Sequence, residues 1–214
     1  MKRSFLLSLL VALLTAPAFL QAQTLSQAEK DGLLQMRQEE KMAHDVYVAL
    51  GETYPLPPFM HIPNAEKRHF NLVGLLLDQY ELSDPLADRS QEAGYFSDPG
   101  YAKLYRQFVD QGAKSEVEAL RAGAEIEELD IRDLQQLIAQ TENTDLRETY
   151  SLLLEGSKRH LRAFTFQLEQ RDANYEPKYL SATDFAALLD TGAATGKGTG
   201  KCCAKGKKCC KTRK

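Results

Sequence analysis

Cysteine is absent from the long middle part of this 214-residue chain. All four cysteines lie among the last thirteen residues, at Cys202, Cys203, Cys209 and Cys210. We therefore expect no disulfide within the main fold. Thirteen glycines and eight prolines are too few for a collagen-like or proline-rich filament, and 43% hydrophobic residues are too many for a wholly disordered chain. The length suggests one domain with appendages.

Acidic residues are absent from both ends of the chain. Residues 1–22 carry a charge of +2 and residues 191–214 a charge of +8, so the net charge of −3 leaves −13 on residues 23–190. A nucleic-acid-binding domain is basic on the fold itself. We therefore expect no nucleic-acid partner.

The first 22 residues have the pattern of a secretory signal peptide. Lys2 and Arg3 precede an apolar run over residues 5–14, and small residues follow, with a cleavage site favoured after Ala22. This run of ten residues is too short for a membrane-spanning helix, which needs roughly 20. We expect a periplasmic or secreted protein with no stable membrane span after cleavage.

The tail, residues 191–214, is rich in glycine, lysine and cysteine and predicts a flexible segment. Its two cysteine pairs allow two interpretations. Thiolates among lysines can bind a soft metal such as Cu(I) or zinc. In an oxidising compartment the same cysteines can form disulfides within or between chains.

The apolar residues between positions 24 and 189 recur with a helical period, without strand-like alternation. The pattern predicts four long helices at about residues 26–50, 64–82, 115–140 and 144–170, and two short ones at 101–111 and 181–189. Ser26 with Glu29 forms a capping box, Ser115 caps the third long helix, and Asn64 is the expected cap after Pro63. His61 is expected in a proline-rich loop.

The connection between the second and third long helices is too long for a tight turn. Two helical hairpins joined by a long crossover are typical of ferritin-like bundles. The sequence thus predicts an all-α fold, a ferritin-like four-helix bundle over residues 23–190, with a long crossover between helices 2 and 3 and a short C-terminal helix.

Polar side chains interrupt the apolar stripe of each long helix. They are Glu40, Glu66 with His69, Glu127, and Ser157 with His160. A spacing of three places each pair on one helix face. Buried carboxylates cost several kcal/mol unless compensated, and divalent ions that accept carboxylate oxygen and imidazole nitrogen provide compensation. A metal centre of iron, manganese or zinc is the prediction.

A single glutamate at such a position is usually at a helix edge with its head in water. The coincidence across four helices favours the metal centre over this alternative. His44 is expected near the centre's edge or at the surface, and Glu155 is expected to be exposed.

Four sequence motifs carry a resemblance to a known superfamily. They are Glu-Glu-Lys-Met-Ala-His-Asp-Val-Tyr at 39–47, Ala-Glu-Lys-Arg-His at 65–69, Gly-Ala-Glu-Ile-Glu-Glu-Leu-Asp-Ile at 123–131, and Gly-Ser-Lys-Arg-His-Leu-Arg-Ala-Phe at 156–164. On the first two motifs the chain resembles the ferritin-like di-iron carboxylate superfamily. On the first, third and fourth motifs it is more closely similar to the uncharacterised family called domain of unknown function 2202 (DUF2202), over about residues 25–189.

The resemblance implies a set of metal ligands: Glu40, Glu66, His69, a glutamate of the third long helix, and His160. In that helix the apolar stripe favours Glu127, whereas the superfamily's Glu-x-x-Glu spacing would pair Glu125 with Glu128. Both Glu127 and Glu128 are therefore kept as candidate ligands. Ser157 departs from the superfamily, which usually has glutamate there.

The resemblance also implies what the centre does. It implies two iron ions, or one if Ser157 has cost a site, with manganese or zinc as alternatives. Such a centre would act on O₂ or peroxide as an oxidoreductase of peroxidase-like type. An external electron donor is implied, because no rubredoxin-type Cys₄ module is present. No catalytic residue is assigned.

Two other function classes stay open. One is a non-catalytic protein that sequesters or buffers metal ions. The other is a metal-free helical interaction module with an acidic face. A monomer or homodimer is expected for all three function classes.

Overall fold

The computed structural model describes residues 24–190, and over this range the protein is entirely helical, without strands. Its six helices are α1 (Gln27–Thr53), α2 (Pro57–Gln79), α3 (Pro99–Gly112), α4 (Glu116–Gln140), α5 (Thr144–Glu169) and α6 (Ala182–Asp190). The all-α prediction is confirmed. The predicted signal peptide and the cysteine tail lie outside the described residues.

Side-chain caps set the beginnings of three long helices. The Ser26 hydroxyl accepts from the Glu29 backbone N–H, and the Ser26 N–H donates to Glu29 Oε2 at 2.8 Å, so the predicted capping box is present. Ser115 caps α4 in the predicted position, and Asn143 caps α5. These caps satisfy backbone N–H groups that a helix start otherwise leaves unpaired.

The predicted start of α2 was wrong. The helix begins at Pro57, and Pro63 lies inside it. Pro57 and Pro58 occupy its first turn, where a missing N–H costs little. Phe59 and Ile62 are buried in the core, and this packing holds the first turns despite the hydrogen bond that Pro63 cannot donate. Consequently Asn64 is not a cap, and His61 lies on a helix rather than in a loop.

The helices pack as two pairs. Helix α1 lies against α2 and α4 against α5, and the pairs meet where α1 contacts α4 and α2 contacts α5. Helix α3 packs on α1 and α4, within the connection between the two pairs. In the 167 or so residues described, no helix is long and apolar enough to cross a membrane. Each long helix turns its buried side toward the common core, which brings the middles of four helices together.

The connection between α2 and α3 is held on α1 by buried charges. Arg37 pairs with Asp84 at 2.7 Å, and Lys41, which pairs with Asp45 one turn along α1, also donates to the Glu92 carbonyl oxygen at 2.8 Å. The Asp45 carboxylate also accepts the Gly94 backbone N–H at 3.0 Å. Gly94 has a φ of 72°, a conformation that glycine adopts without strain. These contacts keep the crossover against the outer side of α1.

Candidate metal centre

Five of the six predicted ligands meet in the interior. They are Glu40 from α1, Glu66 and His69 from α2, Glu127 from α4, and His160 from α5. The three glutamates are each 2% exposed, and the most accessible of the five side chains is His160, at 11%. The predicted apolar stripes placed these residues correctly because each lies one turn from buried core residues on its own helix.

The five residues form two groups that share Glu66. Potential ligand atoms of Glu40, Glu66 and His69 all lie within 4.8 Å of one another, and so do those of Glu66, Glu127 and His160. Glu66 Oε2 is 3.0 Å from His69 Nδ1, and Glu66 Oε1 is 2.7 Å from His160 Nδ1. The two oxygens of Glu66 therefore face different histidines.

Each group is completed by a further carboxylate. Glu40 Oε2 lies 3.3 Å from His69 Nδ1, and Glu127 Oε2 lies 3.5 Å from His160 Nδ1. The two imidazole rings are stacked, with centroids 5.8 Å apart. The arrangement is two carboxylate–histidine pairs with Glu66 between them.

Several polar atoms of this cluster have no hydrogen bond. Within residues 24–190, the buried atoms Glu40 Oε1, Glu66 Oε1, His69 Nδ1 and His160 Nδ1 make no contact with hydrogen-bond geometry, although Glu66 Oε1 lies only 2.7 Å from His160 Nδ1. Buried polar atoms are nearly always hydrogen-bonded, so four such atoms that converge are exceptional. Carboxylate oxygen with imidazole nitrogen is a donor set that fits iron, manganese or zinc. The residues present therefore fit a divalent metal pair.

Mutual electrostatics shape the protonation of the cluster. Burial, and then the charges of Asp130 and Glu66, raise the pKa of Glu40 well above its usual value. Burial and the charge of Glu66 raise the pKa of Glu127 to about 7. Burial lowers the pKa of His160, but the charges of Glu127 and Glu66 raise it overall to about 10. Burial opposes ionisation of Glu66, yet the neighbouring His160 and His69 lower its pKa overall. Burial thus favours the neutral form of Glu40 and Glu127, whereas the neighbouring carboxylates favour the charged form of His160.

Tyr47 supports the centre from α1. Its buried hydroxyl donates a hydrogen bond to Glu127 Oε1 at 2.7 Å. Glu127 Oε2 is left facing His160. Tyr47 therefore holds the orientation of a candidate ligand.

Glu128, the sixth predicted ligand, lies away from the cluster. Glu128 Oε1 accepts backbone N–H groups of Lys178, Tyr179 and Leu180 at 2.7–2.9 Å, and Oε2 accepts the Tyr175 hydroxyl. Its carboxylate holds the segment that leads into α6.

Glu125 also points to that segment and pairs with Lys178. Successive helix residues are about 100° apart, so only one of the three glutamates on α4 faces inward with Ala124 and Ile131. Of the three, Glu127 is the one whose carboxylate lies in the cluster.

Two buried acids near the cluster were missed by the sequence reasoning. Asp130 is 6% exposed, and its Oδ2 accepts a hydrogen bond from the Ser157 hydroxyl. Glu39 is 1% exposed, and burial with the charge of Asp133 raises its pKa to about 8. The signal for Asp130 was present, since it follows Glu127 by three residues and so shares its helix face.

The other two histidines lie outside the cluster. His44 is 30% exposed and its Nδ1 lies 2.9 Å from Asp45 Oδ1. It borders a cavity of about 330 Å³ that Lys41 and Tyr105 also line. His61 and Glu155 are exposed, as expected. None of these residues contributes to the candidate centre.

The described residues thus define an all-helical protein with a buried carboxylate–histidine cluster of metal-binding composition. The chain belongs to the family described as uncharacterized protein domain (DUF2202), whose pattern matches residues 29–192.

One relative is "Uncharacterized protein MJ0754" of Methanocaldococcus jannaschii, which is 40% identical over 174 residues, covering 81% of this chain and 93% of that protein. A solved structure is also similar, the crystal structure of hypothetical protein MJ0754 from Methanococcus jannaschii. It has a TM-score of 0.76 and 40% identity, and the match covers 78% of this chain and 95% of that one. The family membership predicted from the motifs is therefore confirmed.

Proposed function

We propose that this protein is an exported, ferritin-like metal-binding protein whose helical bundle holds a pair of iron or manganese ions that act on O₂ or peroxide. The observation that carries the proposal is Glu66, whose two carboxylate oxygens face two different histidines within two overlapping ligand groups.

The order of the candidate ligands along the chain supports the ferritin-like assignment. A glutamate on α1 is followed by Glu-x-x-His on α2, and after the long crossover a glutamate on α4 is followed by a histidine on α5. Di-metal carboxylate bundles distribute their ligands in this way, with one Glu helix and one Glu-x-x-His helix in each half. The present chain departs from that pattern at Ser157.

Each candidate ligand has a distinct role in this proposal. Glu40, Glu66 and His69 would hold one ion, and Glu66, Glu127 and His160 would hold the other. The Tyr47 hydroxyl orients Glu127 through its hydrogen bond to Oε1. The surrounding leucine, isoleucine and phenylalanine side chains exclude bulk water from the ligands. When bound, two Fe(II) ions would supply the two electrons that reduce peroxide to water. An external donor would replace those two electrons.

Metal sequestration is the second candidate function, and Ser157 favours it. The Ser157 hydroxyl is a poor ligand for iron or manganese, and it donates to Asp130 instead. A centre with fewer carboxylates can hold metal ions without turning over a substrate. Zinc would suit this role because it has no redox chemistry.

Metal content is the first test. The chain from Gln23 to Lys214, with its four tail cysteines changed to serine, is expressed with iron, manganese and zinc available. We expect two ions per chain by elemental analysis, and none after Glu66→Ala with His69→Ala. Glu155→Ala, an exposed acid near His160 in sequence, is the control and should leave two ions bound.

Further measurements separate the candidate functions. Consumption of O₂ or peroxide by the Fe(II)-loaded protein, at a rate above that of free Fe(II), supports the redox role. Stoichiometric binding without consumption favours sequestration. A protein that holds no metal would overturn both and leave a helical interaction module. Export is tested by fractionation and by the mass of the mature chain, which should begin at Gln23.

A further inference from the structure

A cavity separate from the candidate metal centre lies between α1, α2, the crossover and α3. Its volume is about 330 Å³, which falls within the range of roughly 300–1,000 Å³ that is typical of small-molecule sites. None of the five candidate ligands that meet in the interior lines it. The cavity therefore has room for a small molecule that makes no contact with the centre's ligands.

The polar side of this cavity is built around the buried carboxylate of Asp45. Asp45 Oδ2 accepts from Lys41 Nζ and from the Gly94 backbone N–H, the latter at 3.0 Å. Its Oδ1 lies 2.9 Å from Nδ1 of His44. Lys41 also donates to the Glu92 carbonyl oxygen at 2.8 Å. Because Asp45 and Lys41 satisfy each other, neither needs a ligand from the cavity.

The contact with Asp45 decides how His44 meets a ligand. Burial opposes ionisation of Asp45, but hydrogen bonds from His44 and Lys41 lower its pKa overall, so the carboxylate is charged at neutral pH. A charged carboxylate only accepts, so Nδ1 of His44 carries the proton, and Nε2 of the neutral ring is then an acceptor. His44 is 30% exposed, and among residues 24–190 its one hydrogen bond is the contact with Asp45. Nε2 is therefore left to accept a hydrogen bond from a molecule in the cavity.

Aromatic rings from two helices line other parts of the cavity. Phe70 comes from α2 and Tyr105 from α3, and Ala49 of α1 lies on the lining with them. The Tyr105 ring is held against the crossover, 5.9 Å from the Phe96 ring between centroids. A Cβ atom at Gly94 would lie 2.9 Å from Tyr105 Cε1, so the ring packs closely on the backbone there. Aromatic rings pack favourably against one another, so these walls suit an aromatic ligand.

The charged side chains of the cavity balance one another. Lys41 and Lys67 are matched by Asp45 and Glu52. Lys67 and Glu52 are exposed, so water and salt screen their charges. A carboxylate or an ammonium ligand would therefore gain no net attraction, and the cavity suits a neutral molecule.

We infer that this cavity binds a small neutral phenol, whose hydroxyl donates to His44 Nε2 while its ring packs against Phe70 and Tyr105. One acceptor, two aromatic rings and balanced charge together define this ligand class. Asp45 is the positioning residue, because its hydrogen bond sets the tautomer and the orientation of the His44 ring. The inference goes beyond the proposed function and does not require a bound metal.

The test compares three probes of similar size. They are para-ethylphenol, its isomer para-methylanisole, which has no O–H group, and para-methylbenzoate, which is charged. The protein is the chain from Gln23 to Lys214 with its tail cysteines changed to serine, grown with zinc in place of iron. Calorimetry measures each dissociation constant, and a long-range ¹H–¹⁵N spectrum follows the ring nitrogens of His44.

Two variants and a control locate the binding site. His44→Leu removes the acceptor, and Ala49→Leu fills part of the cavity. The control is His61→Leu, which changes an exposed histidine on α2 that does not line the cavity. The melting temperature of each protein without probe shows that it is folded.

We expect wild type to bind para-ethylphenol with a dissociation constant of about 1 mM or lower, roughly tenfold tighter than para-methylanisole, because the isomer cannot donate a hydrogen bond. His44→Leu should bind the two isomers equally, and Ala49→Leu should bind neither. His61→Leu should match wild type. The Nε2 resonance of His44 should shift with the phenol and not with the ether.

Four results would overturn the inference. These are equal affinity of wild type for the two isomers, a preference for the phenol that persists in His44→Leu, tighter binding of para-methylbenzoate than of the phenol, or unchanged phenol binding in Ala49→Leu. The metal-binding proposal is unaffected by any of them, because it depends on other residues.

Discussion

Gly156 lies directly against the imidazole of His69. A Cβ atom at position 156 would lie 2.5 Å from His69 Cε1 and 2.8 Å from Nε2. The backbone of α5 therefore approaches α2 closely at the level of the candidate centre. Glycine permits this approach because it has no side chain.

Gly156→Ala should weaken metal binding. In an exposed helix the change would stabilise by roughly 0.5–1 kcal/mol, but here the methyl group must displace His69. We expect a cost of about 1–3 kcal/mol from overpacking and at least tenfold weaker binding of one ion. Thermal unfolding and Mn(II) titration measure the two effects.

Gly32→Ala is the matched control for this crowding. A Cβ there would lie 2.5 Å from Leu137 Cδ2, the flexible end of a side chain far from the cluster. Metal affinity should be unchanged in this variant. Equal metal affinity in both variants would argue against His69 as a ligand.

Tyr47→Phe tests whether the hydrogen bond of the Tyr47 hydroxyl contributes to stability and to metal binding. It removes the 2.7 Å hydrogen bond to Glu127. We expect a loss of about 1–3 kcal/mol in the free energy of unfolding and roughly tenfold weaker metal binding, because Glu127 loses its orientation. Chemical denaturation and metal titration provide the measurement.

Tyr150→Phe supplies the comparison. Tyr150 is 1% exposed, and its hydroxyl has no hydrogen-bond partner among the described residues. Removing that hydroxyl should leave stability unchanged or slightly higher. If the two variants lose the same stability and affinity, the Tyr47–Glu127 hydrogen bond has no special role.

Glu128→Gln should loosen the C-terminal segment without loss of metal. Glutamine keeps one acceptor oxygen but loses the charge that strengthens the three backbone N–H bonds to Oε1, and it loses the second acceptor, Oε2, to which the Tyr175 hydroxyl donates. We expect about 2–3 kcal/mol of destabilisation and faster hydrogen exchange over residues 175–190. Glu125→Gln removes the charge that pairs with the half-exposed Lys178 and leaves an oxygen that can still accept the Tyr179 hydroxyl, so it should have a smaller effect. Loss of metal in Glu128→Gln with normal exchange would make Glu128 a ligand.

Asp45→Asn should lower the free energy of unfolding by an amount that depends on pH, because the ionised Asp45 holds the crossover against α1. Burial opposes ionisation of Asp45, but hydrogen bonds from His44 and Lys41 lower its pKa below the usual 3.8. The ionised form therefore stabilises the fold above about pH 4, and this stabilisation is lost as the pH falls below that value. At pH 7 the variant leaves the buried Lys41 ammonium without a carboxylate partner, with only its hydrogen bond to the Glu92 carbonyl oxygen, at a cost of about 3–5 kcal/mol.

The difference in unfolding free energy between wild type and Asp45→Asn should shrink on acidification below pH 4. Denaturation curves across pH 3–7 measure it. Glu92→Gln removes a solvent-exposed pair with Arg89 and should leave stability nearly unchanged. A difference that is constant with pH would show that Asp45 does not stabilise through its charge.

Structural features that depend only on neighbouring residues could be predicted from the sequence. The capping box at Ser26 and Glu29 depends on a spacing of three, which the sequence displays directly. The beginning of α2 was not predictable in this way, because Phe59 and Ile62 hold the turns before Pro63 through contacts with other helices. Pro63 by itself favours a helix that begins after it, but the packing of the preceding turns outweighs that preference.

The sequence by itself determined that the chain is helical, that it belongs to its family, and that Glu66 and His69 share a helix face. The helices and the shared face follow from the 3.6-residue period, and the family membership follows from the sequence motifs. Only the tertiary structure decided that Glu127 faces the cluster while Glu128 holds the C-terminal segment, and that Asp130 meets Ser157. Adjacent residues on one helix point in different directions, and what each meets depends on helices distant in sequence.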